Sequence, residues 1–277
     1  MFRTAVCLLA ALIITVILLP FILIFKLVSL FKPDGELPGA VGVVIRIVIP
    51  VIEWLAGVKF EVTAGTRIAS DAVAGNAVNC EADSAGTRIA SDAAAGSDVN
   101  RGAIYVGNHQ GSFDALVPLI HLGKTKSIVL KKEISKVPLA GWMLRLFGCI
   151  FLDRTSLKAQ VACINEMEAR LRAGKEVAVF PEGTRSQGPH RGEYKAGAFR
   201  AAIAAGVPVI PFVIDGSWHC WEEKHRLVPA TVKLSILPPV STDGLTTKDA
   251  KDLASRVQDL TQQELFRLRA EKGSTNA

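Results

Sequence analysis

The chain has 277 residues, 49% of them hydrophobic, and a formal net charge of +6. That length is ample for one sizeable α/β domain, alone or with an appended membrane element. Five cysteines stand at 7, 80, 149, 163 and 220 with no C-x-x-C pair and no His cluster at zinc spacing, so a disulfide scaffold and a structural zinc module lack support and a reducing compartment fits. The basic balance suits anionic lipid, nucleic acid or phosphorylated substrates without choosing among them.

The N-terminus narrows that choice. Residues Ala5 to Phe25, AVCLLAALIITVILLPFILIF, form 21 residues without a charge, about the length that crosses a bilayer core. A cleaved secretory signal is the rival reading, but the run is long for one and no convincing small-residue cleavage site precedes Lys26. After the turn-like KPDGELPG comes a second apolar stretch, AVGVVIRIVIPVIEWLAGV, broken by Arg46, Pro50 and Glu53. Those charges favour a helix lying in the interface or against protein over one at the bilayer centre. Pro20 and Pro50 each interrupt a helix, so a kinked two-helix hairpin dipping into one leaflet is favoured over a true span. Residues 1–58 are therefore expected to be a membrane-associated two-helix element, and 59–277 the main domain.

Residues 64–75, AGTRIASDAVAG, return at 85–96 as AGTRIASDAAAG with one change, Val73 against Ala94. Two copies are too few for a solenoid, and Ala, Gly, Ser and Asp make no metal or phosphate constellation here. Residues 64–98 read as a duplicated surface insert.

From Gly102 onward β-rich runs alternate with helical ones. The strand candidates are AIYVGN, SIVLK, CIFLDR, EVAVFPEG, VPVIPFVI and VKLSILPP. Helix candidates lie at Phe113–Leu122, Leu139–Phe147, Ser156–Ala173, Ala196–Ala205 and Lys248–Arg269, the last with Leu253, Val257, Leu260 and Leu265 near one face. The alternation predicts an α/β fold, a mixed, largely parallel sheet flanked by helices on both sides, with ligands collecting at the strand ends.

Three landmarks fall where candidate strands end: His109 in NHQGSFD, Arg154 in FLDR, and Glu182 to Arg185 in FPEGTRS. His109 and Asp114 would point about 140° apart on one helix and to opposite faces of one strand, so they meet only if the chain bends. Gly111 permits an unusual backbone angle and Ser112 can cap a helix holding Asp114 in its first turn, which would supply the bend. A carboxylate on one ring nitrogen fixes the tautomer and leaves the other nitrogen to act as general base. Standing alone, the pair reads equally well as a surface His and a helix-capping Asp.

No G-x-S-x-G elbow occurs, and Cys149 and Cys163 sit on apolar runs, so the nucleophile is expected to be a hydroxyl of the substrate itself. In FPEGTRS, Gly183 offers a turn, Thr184 a hydroxyl and Arg185 a planar fork for phosphate oxygens, with Arg154 able to close the other side. An Arg at a strand end can equally be a salt-bridged surface residue, and Glu182 can simply pair with Arg185. Lys131, Lys132 and Lys195 add positive potential or are merely solvated.

In order, NHQGSFD, KKEISKVPLAGW, GCIFLDR, FPEGTRS, YKAGAF and VPVIPFVI resemble the glycerolipid acyltransferase family typified by 1-acyl-sn-glycerol-3-phosphate acyltransferase, over residues 100 to 240. The resemblance implies that His109 and Asp114 are the catalytic pair, and that Arg154, Glu182, Gly183, Thr184 and Arg185 hold the glycerol phosphate of the acceptor. It also implies a two-helix membrane element, an active site on the cytoplasmic face of a membrane (the inner membrane in a bacterium), and no metal or bound cofactor. The implied reaction moves an acyl group from acyl-CoA or acyl carrier protein to the 2-hydroxyl of a lysophosphatidic acid. Other acceptors are glycerol 3-phosphate, another lysophospholipid or a lipid A precursor; a catalytically silent phospholipid-binding membrane protein is a further alternative. Nucleic-acid binding would explain the charge but neither the apolar segment nor the dyad, so no nucleic-acid partner is expected. One departure is Gly111, where many relatives carry Ser directly after the Gln.

Overall fold

The computed structural model describes residues 39–64, 102–122, 127–137, 140–146, 148–190 and 192–274, with Ala5 alone before them. Apart from Ala5, the apolar run 5–25 lies outside the described residues, and so does the duplicated insert beyond Ala64.

Helix α1 (Gly39–Ala56) runs through Pro50 rather than ending there. Pro50 lies on its exposed side, while Ile49, Glu53 and Ala56 are buried and hold the helix past the proline by packing. Glu53 is not lost to the interior unpaired: its Oε1 lies 2.9 Å from His121 Nε2. Ile47, Val51 and Trp54, at i, i+4 and i+7, are large apolar residues exposed along the opposite side. No helix among the described residues is long and apolar enough to cross a membrane.

Strand β1 (Val58–Ala64) follows, then β2 (Ile104–Gly107), β3 (Ser127–Lys131), β4 (Ile150–Leu152), β5 (Val177–Val179), β6 (Val209–Asp215) and β7 (Ala230–Ile236). They form one sheet in the order β1-β7-β6-β2-β5-β3-β4. Strands β2 to β6 are mutually parallel, β7 pairs antiparallel to β6, and β1 pairs parallel to β7. The sheet is thus mixed and largely parallel, as the alternation predicts. Strand β1 alternates in burial, with Lys59, Glu61 and Thr63 outward.

Side-chain alternation across the sheet builds a core on each face. Ile104, Val106, Val177, Val179 and Val209 pack against helices α3 (Leu157–Arg172), α4 (Gly197–Ala205) and α5 (Ala250–Ser274). Tyr105, Ala178, Ile210, Phe212 and Ile214 face the other way, onto Ala56, Val117, Leu122 and Cys220. In the C-terminal helix Leu253, Val257 and Leu265 are buried as their spacing suggests, joined by Leu268. Ser156 caps α3 by accepting from the Ala159 amide at 3.3 Å. A short helix, α2 (Ala140–Leu146), precedes β4.

The expected helix 113–122 is instead a tight 3₁₀ turn, Ser112–Leu116, running into a wide π turn, Val117–His121. Pro118, at the start of the second turn, cannot donate to a regular helical ladder, which accounts for the break in periodicity.

Parallel strands bring the carboxyl ends of β2, β5 and β6 to one edge, with β2 between the others, and every candidate site loop leaves from that edge. Gly107 closes β2 flush against a neighbour: a Cβ there would fall inside the fully buried Phe212 ring. Gly107→Ala is therefore expected to destabilise the fold by about 1–3 kcal/mol through overpacking, read as a lowered urea midpoint with an unchanged slope.

Candidate active site

As β2 leaves the sheet, the side chains of the next residues continue its bonding pattern. Asn108 donates from Nδ2 to the Ile214 carbonyl and accepts from the Ile214 amide, both at 2.8 Å, mimicking one more rung to β6. Gln110 does the same further out, accepting from Gly216 N at 2.9 Å and donating to Asp215 Oδ1 at 3.3 Å. His109, between them, is held from the other flank. Its amide donates to Glu182 Oε1 at 3.0 Å, and its carbonyl accepts from Ser186 N at 2.8 Å, while Gln187 N reaches the Gln110 carbonyl at 3.1 Å. The loop after β5 is thus laced onto the loop after β2.

The bend between His109 and Asp114 does occur. Asp114 is fully buried, and its Oδ2 accepts from Gln110 N at 2.6 Å, from Gly111 N at 2.9 Å and from His109 Nδ1 at 2.8 Å. A carboxylate only accepts, so the imidazole proton sits on Nδ1 and Nε2 carries the lone pair. The ring stacks on Phe180, centroids 4.4 Å apart and planes 21° apart, and Phe180 is braced edge-on by Phe212. Nε2 makes no hydrogen bond among the described residues. That leaves the lone pair of Nε2 unshared, as a general base requires.

The mechanism of the bend differs from expectation at two points. Gly111 has φ −148° and ψ 176°, ordinary extended backbone. Its need is for space, since a Cβ would lie 2.7 Å from Glu222 Oε2 and 3.1 Å from the Ser217 backbone. Gly111, not Ser112, occupies the capping position, and Ser112 turns its amide and hydroxyl to Glu222 instead.

In FPEGTRS, Gly183 has φ +77°, a conformation that favours glycine. The Lys195 ammonium lies against it, 3.2 Å from where a Cβ would stand. Glu182 is buried with its carboxylate divided between two amides, Oε1 to His109 and Oε2 to Gly192 N at 2.8 Å. Burial raises its pKa, against the lowering effect of those amide hydrogen bonds. Glu182 does not pair with Arg185, whose Nη1 donates to Glu222 Oε1 at 2.8 Å and contacts Ser112 Oγ. Thr184 is exposed on the same loop.

Lys131 ends β3 and Arg154 follows β4 by two residues on the same edge, both exposed. Lys131 pairs with Glu133 at 3.6 Å. Arg154 stands beyond the third strand out from β2, roughly 14 Å away at the usual strand spacing. Lys132 is bound to Asp153 at 3.0 Å. The structure therefore gathers His109, Asp114, Glu182, Gly183, Arg185 and Lys195 closely, and sets Lys131 and Arg154 at the far side.

Thiol chemistry is disfavoured by burial. The Cys220 pKa is pushed up to about 12 by desolvation and then by Asp114 and Glu222; Cys149 and Cys163 are pushed to about 11. Among the described residues no group of three His, Cys, Asp or Glu is arranged to hold a metal ion.

Comparison with known proteins gives this geometry a family. A family described as Acyltransferase matches residues 87–215. Over 176 residues the chain is 33% identical to the 1-acyl-sn-glycerol-3-phosphate acyltransferase of Haemophilus influenzae, a match covering 63% of this chain and 72% of that one. The chain belongs to the 1-acyl-sn-glycerol-3-phosphate acyltransferase family. It is 34% identical over 158 residues to the human alpha form, spanning 56% of that protein. A crystal structure of the 1-acyl-sn-glycerophosphate (LPA) acyltransferase PlsC from Thermotoga maritima has the same fold, with a TM-score of 0.64 at 23% identity over 97% of this chain and 98% of that one.

In this acyltransferase several site residues escape a motif reading. Asn108 and Gln110 lie inside the motif but hide as spacers, and Glu222, within CWEEKH, looks like surface charge. Asp215 links Gln110 to the C-terminal helix through Arg269 Nε at 3.0 Å. Alternation within NHQ was the available signal, since neighbours in extended chain point to opposite flanks.

Nitrogen-15 NMR of the neutral His109 ring should show a protonated Nδ1 and a bare Nε2. A neutral ring carrying its proton on Nε2 would remove the proposed base.

Proposed function

We propose that the protein transfers an acyl group from acyl-CoA or acyl carrier protein to the 2-hydroxyl of 1-acyl-sn-glycerol 3-phosphate, forming phosphatidic acid. The observation that carries this reading is the Asp114 clamp on His109 Nδ1, which leaves Nε2 as a free acceptor beside an arginine loop. The Haemophilus relative's name describes acylation of that same acceptor.

Nε2 takes the proton of the 2-hydroxyl as its oxygen attacks the thioester carbonyl carbon. The tetrahedral intermediate collapses, breaking the carbon–sulfur bond, and the imidazolium returns the proton to the departing thiolate. Asp114 stabilises the imidazolium formed in between without itself taking the proton. A thioester is already activated, so the reaction as written uses no metal and no bound cofactor. Arg185, with Nη2 and Nε making no hydrogen bond among the described residues, receives the acceptor's phosphate, assisted by Lys195 beside Gly183. Gly183 and Thr184 shape the same loop, Glu182 holds it to His109, and Lys131 and Arg154 extend the positive edge.

Acceptor and product are lipids, so a site at the headgroup plane of a membrane, on the cytoplasmic face, avoids extracting either into water. Exposed Ile47, Val51 and Trp54 on α1 and the apolar run 5–25 support membrane attachment through the N-terminal segment.

Purified protein mixed with labelled acyl-CoA and lysophosphatidic acid should yield labelled phosphatidic acid; absence of product with either donor in several detergents would overturn the reading and favour a silent lipid binder. His109→Ala should lower turnover on the order of 10² to 10⁴ with lysophosphatidic acid binding retained. Arg185→Ala should raise KM for the phosphorylated acceptor more than for the acyl donor, and equal rises would argue against a phosphate contact.

A further inference from the structure

We propose that Glu222 is a positioning residue that aims Arg185 at the acceptor's phosphate, and that it can do so only because position 111 is glycine. The proposal rests on the reading of Arg185 as the phosphate ligand.

Glu222 is almost fully buried beneath the site, its side chain 3% exposed against 40% for Arg185. One of its oxygens, Oε1, accepts from Ser112 N, from Ser112 Oγ and from Arg185 Nη1, each at 2.8 Å. Ser112 Oγ also contacts the same guanidinium nitrogen. The carboxylate, the hydroxyl and the arginine therefore close a triangle. A guanidinium is a rigid planar fork, so fixing Nη1 fixes the plane and turns the remaining Nη2 and Nε edge in one direction. A flexible surface arginine would lose much of its side-chain freedom on meeting a phosphate; here that ordering is already done.

Buried charge is tolerated because it is paired and hydrogen-bonded, and because it lies behind the arginine rather than on the phosphate side. The other oxygen, Oε2, is buried with no hydrogen-bond partner among the described residues. It occupies the space beside Gly111, 2.7 Å from where a Cβ would stand, and the Ser217 backbone closes the other side at 3.1 Å. A Cβ there would press on the far end of the Glu222 side chain, the group that holds the triangle. Since Gly111 has ordinary extended angles, a serine there meets no backbone penalty; its effect would be steric displacement of Glu222. Ser112 belongs both to this triangle and to the loop between His109 and Asp114, so the Glu222 carboxylate links the loop bearing the base to the loop bearing the cation.

The test uses full-length protein and compares lysophosphatidic acid with 1-acylglycerol, which lacks the phosphate. Glu222→Gln, Glu222→Ala, Gly111→Ser, Arg185→Ala and the double variant Gly111→Ser with Glu222→Ala are each assayed for both acceptors and for the acyl donor. The ratio of kcat/KM for the phosphorylated over the phosphate-free acceptor should fall about tenfold or more in Glu222→Ala, and the KM of the donor should move far less. Gly111→Ser should reproduce that loss, and adding it to Glu222→Ala should cost little more, because both act through one displaced carboxylate. Glu222→Gln, close in shape, reports the same ratio should the alanine variant fold poorly. An unchanged ratio in Glu222→Gln and Glu222→Ala, or multiplying losses in the double variant, would overturn the proposal while a reduced ratio in Arg185→Ala left the phosphate reading standing. An unchanged ratio in Arg185→Ala would sink both.

Discussion

One buried oxygen organises this site. Asp114 Oδ2 draws in two backbone amides and the His109 ring, and those three hydrogen bonds turn an unpromising five-residue separation into a closed loop. An ionised carboxylate in a dry position is unfavourable unless it is hydrogen-bonded, so the donors and the charge are mutually required. The same bonds that make the burial tolerable fix the tautomer of the base. Local folding and chemistry are here a single interaction.

The sheet supplies what that loop cannot. Because β2, β5 and β6 run parallel and adjacent, their following loops meet at one edge with no long excursion. Asn108 and Gln110 tie the central loop to the β6 side and Glu182 ties it to the β5 side. Arg185 is carried in by the β5 loop and gripped by Glu222 from the β6 loop. The loops that carry His109 and Arg185 are thus each held by partners distant in sequence, which is how short loops keep a defined shape.

Much of this was legible in the sequence. Alternating β-rich and helical runs predict a largely parallel sheet, and a strand, a glycine and a following helix allow His109 to reach Asp114 without requiring it. The cause assigned to Gly111 was backbone freedom, whereas the structure shows crowding by Glu222 and Ser217; contacts across more than a hundred residues leave no local signature. Strand β1 is not among the candidate strands: only Val58 falls in the apolar stretch that precedes it, and Val58 to Ala64 follow α1 after a single glycine. Glu182 stands next to Gly183, Thr184 and Arg185 but serves two amides, a role that spacing alone does not distinguish from ion pairing. Arg154 follows the outermost strand, and strand order, which sets its distance from β2, is not written in any one motif.

The central claim is that His109 and Asp114 act as one unit, and the most direct measurement is a double-mutant cycle on kcat for acyl transfer. With His109→Ala, Asp114→Asn and the pair compared in folded protein, the account predicts that the double variant is no slower than His109→Ala alone, since without the ring there is no tautomer to fix. Losses that multiply would mean that Asp114 and His109 contribute independently, and the clamp would not be the source of the base.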